Sequence, residues 1–286
     1  MSSDNSLSEI EAFVSKIKAS RKYRSICEDT IRDVVENALP KYRRTKDALK
    51  AAKTKLHRVQ AAYLGNISFE EDLKALVEIH SSGNRDRVKE ICLKLMSEHA
   101  STRERIPILD RFYKETFAVT GVPRMILDVA CGIHPLSIPW MSLPDDTVYW
   151  AYEIDRRLVD HLNTYFQAIG SKPLARLQDV ICTPPAETGD IAFVMKMVPC
   201  LERREKGCSI RLLKQLKVRY LVVSFPIRSL SGRRGAKDMP SFYSQLFSDM
   251  VDGCGWEVIK LPIREELVFV VDKRDRCIIE PYKSIL

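Results

Sequence analysis

Three points in the middle of the chain combine an apolar run with small or acidic residues that can hold a ligand. The run 125–129 ends in the small-residue turn 130–132, where the backbone can approach a ligand closely. A second run ends at Glu153, whose ionised carboxylate can accept hydrogen bonds from both hydroxyls of a ribose. A third run ends just before Asp179, which suits the exocyclic amino group of adenine. Together these residues predict a ligand site.

Each of these residues also has an ordinary structural interpretation. The turn 130–132 holds one glycine and not a three-glycine phosphate loop, so it also fits a plain strand–turn–helix connection. Asp155 competes with Glu153 for the ribose because it lies two residues further along on the same face, although it could instead cap the next helix. Asp179 could be a turn residue. The residues alone leave these alternatives open.

The elements around these residues read as an open α/β sheet. After residue 113, apolar segments alternate with amphipathic ones, which is typical of parallel strands covered by helices. Ligands of such sheets bind at the carboxyl ends of the strands. The last two apolar segments are separated by only five residues, so they must pair antiparallel. The predicted strands are 125–129, 148–154, 175–177, 191–195, 220–225, 256–261 and 267–272, with helices at 157–169, 209–216 and 241–251.

The first 112 residues show helical periodicity and no strand pattern. We therefore expect two domains: a helical, basic, RNA-binding domain at residues 1–112, and a Rossmann-like α/β domain at residues 113–286. The second domain would hold five parallel strands followed by a C-terminal antiparallel pair. The predicted helices are 7–17, 31–39, 48–63, 69–80, 85–98 and 108–117.

The positive charge of the chain is concentrated in two segments. The net charge is +8, but residues 16–58 hold fourteen Lys/Arg against five Asp/Glu, and residues 203–237 hold eleven against one. A uniform excess would be explained by solubility, whereas clustered charge indicates a polyanionic partner such as nucleic acid. Solvated helix faces are the alternative.

Several other classes of protein are disfavoured by the composition. No apolar run approaches the ~20 residues of a membrane span, and the N-terminus does not resemble a signal peptide. The eight cysteines form no CxxC pair, so we expect neither a metal site nor a disulfide framework. We expect a cytoplasmic monomer that does not bind membranes.

The predicted sheet resembles that of class I methyltransferases, which use S-adenosylmethionine. Four motifs are similar, more specifically, to the aminoglycoside-resistance methyltransferases that modify guanine 1405 of 16S ribosomal RNA at N7. The similarity covers nearly the whole chain, because it extends to Leu56-His57 and Ala62-Tyr63 in the helical region. The motifs are His99-Ala-Ser-Thr-Arg-Glu-Arg105, Asp128-Val-Ala-Cys-Gly-Ile-His-Pro-Leu136, Lys196-Met-Val-Pro-Cys-Leu-Glu202 and Ser224-Phe-Pro-Ile-Arg-Ser-Leu-Ser-Gly232.

The resemblance implies a set of cofactor-binding residues. Arg105 would hold the methionine carboxylate with its cationic fork, although an ion pair between the domains is the alternative. Some positions depart from the family pattern: Glu153 stands where Asp is common, and Ile133-His134 stands where Leu-Asn is frequent. Others are Arg204, where some members have Gln, and Gln60, where some have an aromatic residue. The implied residues are Gln60, Tyr63, His99, Ala100, Ser101, Arg105, Ala130, Gly132, Glu153, Asp179, Val180, Met195 and Arg204.

The implied chemistry needs no general base, because guanine N7 has a free lone pair that can attack the sulfonium methyl directly. We therefore expect no catalytic acid or base. Lys196 could position the target, or form an ion pair; Phe225 could stack on the extruded base, or belong to the core. His134 would line the pocket as a turn residue. RNA phosphates would contact Arg21, Lys22, Arg24, Arg43, Arg44, Lys46, Arg228, Arg233, Arg234 and Lys237.

The resemblance thus implies methyl transfer to 16S rRNA in the 30S ribosomal subunit, conferring aminoglycoside resistance. One alternative is a methyltransferase for another RNA site or a small molecule. Another is an RNA-binding protein that has lost catalysis, which the intact Glu153 and Asp179 argue against. A dinucleotide oxidoreductase is disfavoured by the missing three-glycine turn.

Overall fold

The computed structural model of the protein describes residues 3–61, 71–72, 75–76, 84–227 and 239–274. Its centre is a seven-stranded sheet in the order β3-β2-β1-β4-β5-β7-β6. Strands β1 to β5 are parallel, and β7 runs antiparallel to both of its neighbours, so the predicted sheet is confirmed. The strands are β1 Met125–Val129, β2 Val148–Glu153, β3 Ala175–Leu177, β4 Thr188–Met195, β5 Lys217–Phe225, β6 Glu257–Lys260 and β7 Leu267–Asp272.

The central strands are apolar on both faces because helices cover both sides of the sheet. Alternate residues enter two different hydrophobic cores: Ile126 and Phe193 belong to one, and Leu127 and Val194 to the other. This period of two is what a strand imposes on its side chains. The sheet is therefore fixed in register from both faces, and its carboxyl edge is a rigid platform for the loops that follow each strand.

The helices of the described residues match the predicted ones closely in position. Arg85–Glu98 is as predicted, the other predicted helices differ by up to four residues at their ends, and Ala100–Arg103 and Val198–Arg204 were not predicted. The helices are α1 Ser3–Lys18, α2 Glu28–Ala38, α3 Thr45–Ala61, α4 Arg85–Glu98, α5 Ala100–Arg103, α6 Leu109–Thr120, α7 Arg156–Ala168, α8 Val198–Arg204, α9 Cys208–Gln215 and α10 Met239–Val251, with short 3-10 helices at Leu39–Lys41, Ile106–Ile108 and His134–Trp140.

The helical N-terminal region packs in two separate ways. Helices α1 to α3 form a core of their own around Ile17, Ile31 and Leu56. Helices α4 and α6 bury residues such as Leu95 and Phe112 in the same core as the sheet. Among the described residues, α1 to α3 therefore share one hydrophobic core, and α4 and α6 belong to the core of the sheet; the domain boundary at residue 112 stays a prediction. Helices α4 and α6 join the core of the sheet because the apolar face of each helix packs against it.

Some expectations lie partly or wholly outside the described residues. Most of the predicted helix 69–80 and the end of the predicted helix 48–63 fall there. Within the described residues, no helix is both long and apolar enough to cross a bilayer. The cysteines of these residues are free thiols, and no cluster of potential metal ligands occurs among them.

Candidate functional site

A cavity of about 1220 Å³ lies between the carboxyl ends of β1, β2 and β3 and the helices α2 and α3. A volume of this order suits an organic cofactor. The sheet side includes the predicted residues Ala130, Glu153, Asp179, Val180 and Arg204. The helical side is lined by Val34, Asn37, Ala38, Lys41, Tyr42, Asp47, Lys50, Ala51, Ala52, Thr54 and Lys55.

The turn after β1 has the close-approach geometry expected of small residues. Ala130 adopts φ +50° and Gly132 φ +54°, the left-handed region that side chains beyond glycine rarely occupy. A Cβ atom on Gly132 would lie 3.7 Å from the imidazole of His99. Strained non-glycine residues cluster at binding sites, because the surrounding structure must hold them in place. The strain at Ala130, which lines the cavity, therefore supports a ligand-binding turn.

Glu153 joins the loops after β1 and β2 at the wall of the cavity. Its Oε2 accepts the amide of Gly132 at 3.0 Å, and its Oε1 accepts the amides of Ile154 at 2.7 Å and Asp155 at 3.2 Å. Burial raises the pKa of the Glu153 carboxyl above its ordinary value, against the opposing effect of these amides. The carboxylate is thus oriented by the backbone and set at the cavity wall, as a ribose acceptor would need.

Asp155, the competing candidate, caps the helix that follows it. Its carboxylate accepts the amide of Arg157 at 2.9 Å, at the start of α7. It also accepts the hydroxyl of Ser25 at 3.1 Å and the guanidinium of Arg157 at 2.8 Å. Asp155 is not among the residues that line the cavity. The arrangement favours Glu153 for the ligand.

Asp179 is buried and held by four donors. Its Oδ2 accepts the hydroxyl of Thr30 at 2.6 Å and Nη1 of Arg204 at 2.7 Å. Its Oδ1 accepts the amide of Ile181 at 3.0 Å, with the amide of Cys182 at 3.4 Å. The residue is therefore more than a turn aspartate, because side chains from two other segments converge on it.

Arg204 bridges Asp179 and the N-terminal helices. Its Nε and Nη2 donate to Oδ2 of Asp33 on α2, at 3.1 and 2.8 Å. Burial disfavours the charged guanidinium, yet Asp179 and Asp33 more than offset this, and the pKa of Arg204 is raised. Sequence reasoning missed Thr30 and Asp33, because polar residues in an amphipathic helix give no signal of a partner beyond residue 175.

Beside Asp179, the apolar lining of the cavity includes the predicted Val180 and also Met197 and Leu201, which were not predicted. Met195, at the end of β4, instead packs against the sheet core and is not among the lining residues. The methionine in the cavity wall is Met197, two residues further along, and contact of Met195 with the cofactor stays a prediction. An adenine ring would find these three side chains beside Asp179.

Arg105 does not face the cavity. It is 1% exposed, and its Nη2 and Nε donate to Oε1 and Oε2 of Glu266 at 2.6 and 3.1 Å. The guanidinium that the resemblance assigns to the methionine carboxylate is thus occupied by the carboxylate of Glu266. Of the two interpretations of Arg105, the ion pair is the one present in this structure. Nearby, Ser101 Oγ lies 3.0 Å from Nδ1 of His99, which packs beside the turn at Gly132.

Lys196 is also ion-paired. Its Nζ donates to Oε2 of Glu104 at 2.6 Å and to the carbonyl of Ser101 at 3.1 Å, and lies 3.6 Å from Glu266. Its backbone has φ +56°, a strained conformation at the carboxyl end of β4. The alternative of an ion pair is therefore present, and a role toward the target stays a prediction.

The predicted stacking role of Phe225 is wrong for this structure. Phe225 is 0% exposed and stacks on Tyr243 with ring centroids 5.2 Å apart, with Phe247 and Phe269 packed edge-on. Its position at the end of β5 directs it into the core instead of toward solvent. The exposed aromatic residue of this region is Phe242, at the start of α10.

His134 is buried in a polar network and does not line the cavity. Its Nδ1 lies 2.9 Å from Oδ2 of Asp128, and its Nε2 lies 2.8 Å from the hydroxyl of Tyr113. Tyr149 donates to the same Asp128 oxygen at 2.7 Å. The expectation of a pocket-lining histidine is therefore corrected: its two ring nitrogens hold the turn after β1 against α6.

The six described residues of the predicted RNA surface are exposed. They lie on either side of α2: Arg21, Lys22 and Arg24 in the turn before it, Arg43 and Arg44 in the turn after it, and Lys46 in the first turn of α3. Their shared exposure is what phosphate contacts require. Outside the described residues lie Tyr63, Arg228, Arg233, Arg234 and Lys237, together with the side chains of Gln60 and Ala100.

Comparison with known proteins gives one consistent result. The family described as Ribosomal RNA methyltransferase (FmrO) matches residues 19–270. A Serratia marcescens 16S rRNA (guanine(1405)-N(7))-methyltransferase is 35% identical over 260 residues, covering 91% of this chain and 97% of its own. A protein of the same description from Micromonospora rosea is 32% identical over 273 residues, covering 94% and 98%. The crystal structure of the 16S rRNA methyltransferase RmtF with S-adenosyl-L-homocysteine is 30% identical, with a TM-score of 0.76 over 93% of this chain and 98% of that one.

Proposed function

Because the chain belongs to the FmrO family of ribosomal RNA methyltransferases, we propose that it transfers a methyl group from S-adenosylmethionine to N7 of guanine 1405 in 16S rRNA. The substrate is the 30S ribosomal subunit. The modified guanine confers resistance to aminoglycosides. The protein works as a cytoplasmic monomer. Family membership over most of the chain is the observation that carries this proposal.

The residues of the cavity fit an adenosyl cofactor. Glu153 is a carboxylate oriented by three backbone amides, and it can accept hydrogen bonds from ribose hydroxyls. Val180, Met197 and Leu201 supply apolar surface for a purine ring. The turn at Ala130 and Gly132 allows close approach of the backbone.

The main requirement of this reaction is that the protein positions the target base relative to the methyl group. When bound, S-adenosylmethionine supplies an electrophilic methyl group on a sulfonium. Guanine N7 has a lone pair and no proton to lose, so the chain needs only to hold it in line at about 3–3.5 Å from the methyl carbon. Lys196, at the strained carboxyl end of β4, is the residue proposed to position the target. Its ammonium group would have to leave the carboxylate of Glu104 in order to contact the target.

Recognition of the ribosome rests on charge. The exposed basic residues of the turn Arg21–Arg24, of the turn before α3 and of the first turn of α3 are proposed to contact phosphates, together with the basic residues 228–237. Phosphate contacts fix the register of a protein on RNA without reading its sequence. The concentration of positive charge in two segments favours this function over a methyltransferase for small molecules.

The test is methyl transfer from labelled S-adenosylmethionine to purified 30S subunits, with the modified base located by borohydride–aniline cleavage. We expect one cleavage, at guanine 1405. Incorporation of label without cleavage would leave a methyltransferase but remove N7 as its target. Cofactor binding without incorporation into 30S subunits would favour another substrate or a non-catalytic RNA-binding protein.

A further inference from the structure

Helix α2 contacts both polar loops of the cavity. The amide of Cys27, just before the helix, donates to the carbonyl of Ile154 at 2.7 Å, and the amide of Arg156 donates to the carbonyl of Ser25 at 2.8 Å. This short bridge ties the start of α2 to the loop that follows Glu153. Further along the same helix, side chains reach the loop that holds Asp179. One helix therefore touches the ribose and adenine ends of the proposed site.

The two oxygens of Asp179 have different surroundings. Oδ2 is filled by the hydroxyl of Thr30 and the guanidinium of Arg204, both within 2.7 Å. Oδ1 has one short contact, the amide of Ile181, and a long one at 3.4 Å to the amide of Cys182. A carboxylate offers about four acceptor positions, so Oδ1 has room for a further donor. Thr30 and Arg204 thereby decide which oxygen can receive an amino group.

Asp33 positions Arg204 for its contact with Asp179. It holds Arg204 through two nitrogens, at 2.8 and 3.1 Å, which leaves Nη1 for Asp179. The positive charge is shared between two carboxylates, and the guanidinium is largely buried. If Asp33 lost its charge, Arg204 would be drawn more strongly to Asp179. The orientation of the Asp179 carboxylate therefore depends on a residue of α2 that does not touch it.

We propose that Thr30 and Asp33 are positioning residues for the cofactor, so that helix α2 completes the adenine end of the methyltransferase site. This rests on the proposed function, because it takes the ligand of the cavity to be adenosyl. Thr30 acts by its hydroxyl on Asp179, and Asp33 acts through Arg204. The N-terminal segment that presents the basic turn Arg21–Arg24 to RNA is then also a wall of the cofactor site.

The experiment measures S-adenosylhomocysteine binding to the full chain by calorimetry. Thr30→Val keeps the shape of the side chain and removes its hydroxyl, so we expect Kd to rise about tenfold. Thr30→Ser restores the hydroxyl and should bring Kd to within about threefold of the unaltered protein. Asp33→Asn should also raise Kd about tenfold. Glu36→Gln, an exposed acid one turn away, removes the same charge and should leave Kd unchanged.

A kinetic measurement separates positioning from general damage. At saturating S-adenosylmethionine, the Thr30→Val and Asp33→Asn proteins should keep their kcat and their KM for 30S subunits, while KM for the cofactor rises with Kd. A change in binding stoichiometry at unchanged Kd would show a structural role and overturn the inference. So would equal Kd values for the unaltered protein, Thr30→Val and Asp33→Asn, or no rescue by Thr30→Ser. If the unaltered protein binds no S-adenosylhomocysteine, the proposed function itself fails.

Discussion

Arg105 and Glu266 are 161 residues apart in the chain and pair through two hydrogen bonds at a point where both side chains are 1% exposed. Arg105 precedes α6, and Glu266 immediately precedes β7. The ring of Phe112 lies 4.9 Å below the guanidinium, and Lys196 lies 3.6 Å from the same carboxylate. The pair therefore ties the helical region to the antiparallel end of the sheet. It also explains why this arginine cannot hold a ligand without breaking an internal contact.

Glu266→Gln should strongly destabilise the protein. The variant leaves Arg105 buried without a countercharge, and breaking such a pair costs about 3–5 kcal/mol. Urea unfolding followed by circular dichroism measures the loss of stability. The double variant Arg105→Met with Glu266→Met removes both charges and should recover a large part of it, since Lys196 keeps Glu104 as partner. The matched control is Glu265→Gln: this neighbouring acid pairs with Arg111 at the surface, and its removal should cost under about 1 kcal/mol.

The contribution of Glu266 should depend on pH with a defined sign. Burial alone would raise its pKa, but Arg105 and Lys196 hold the pKa of Glu266 below the ordinary 4.5. A depressed pKa means that the stabilisation is present above 4.5 and is lost as pH falls through the folded-state value. The difference in unfolding free energy between the unaltered protein and Glu266→Gln should therefore be constant near pH 7 and shrink below pH 4.5. A difference that grew on acidification would contradict the pairing.

Glu153→Gln should weaken S-adenosylhomocysteine binding by about tenfold or more, because an amide accepts from one ribose hydroxyl where the carboxylate accepts from two. Burial raises the pKa of Glu153 above 4.5, and the protonated carboxyl is the poorer acceptor. Affinity should thus fall on acidification, beginning at a pH above the ordinary glutamate range. Calorimetry across this range checks both statements. Asp160→Asn, an exposed acid on α7, should change neither affinity nor its pH profile.

Charge reversal at Arg21 and Arg24 should weaken binding to 30S subunits while leaving S-adenosylhomocysteine affinity unchanged. The salt dependence of log K should also become shallower by about 0.7–0.9 for each phosphate that the variant no longer neutralises. Filter binding at several salt concentrations provides the slope. Reversal at Lys114 and Lys172, two exposed residues outside both basic segments, controls for net charge. Equal reductions of affinity in the two double variants would remove the turn from the RNA surface.

Much of the sheet was predictable because its strands are short, mostly apolar and bounded by turn residues. Strands β1, β3 and β7 occupy the predicted residues, and the short gap before β7 dictated its antiparallel pairing. The placement of Glu153 and Asp179 in the cavity wall could be predicted for a related reason, while their roles toward a ligand stay predictions. Strands of an open parallel sheet deliver whatever follows them to one edge, so position in the sequence translates directly into position at the site.

Contacts across long separations left no such signal. A sequence shows that Arg105 is cationic but not that Glu266 is opposite, and it shows Thr30 only as one polar residue of an amphipathic helix. Phe225 could not be assigned to the core from sequence alone because the face to which a strand-end residue points depends on the pleat, which a one-residue shift inverts. Met197 was missed because the chain turns at Lys196 before reaching the cavity.

The contact between Thr30 and Asp179 also sets the order in which the site can form during synthesis. It closes a loop of 149 residues, and Arg204 must arrive before Asp33 gains its partner. Contacts of such separation form late, since the entropy of the intervening chain must be overcome first. A nascent chain that ends before about residue 204 therefore contains α2 and α3, which line one side of the cavity, but lacks part of the opposite side. Binding of the cofactor then begins only after most of the protein has been made.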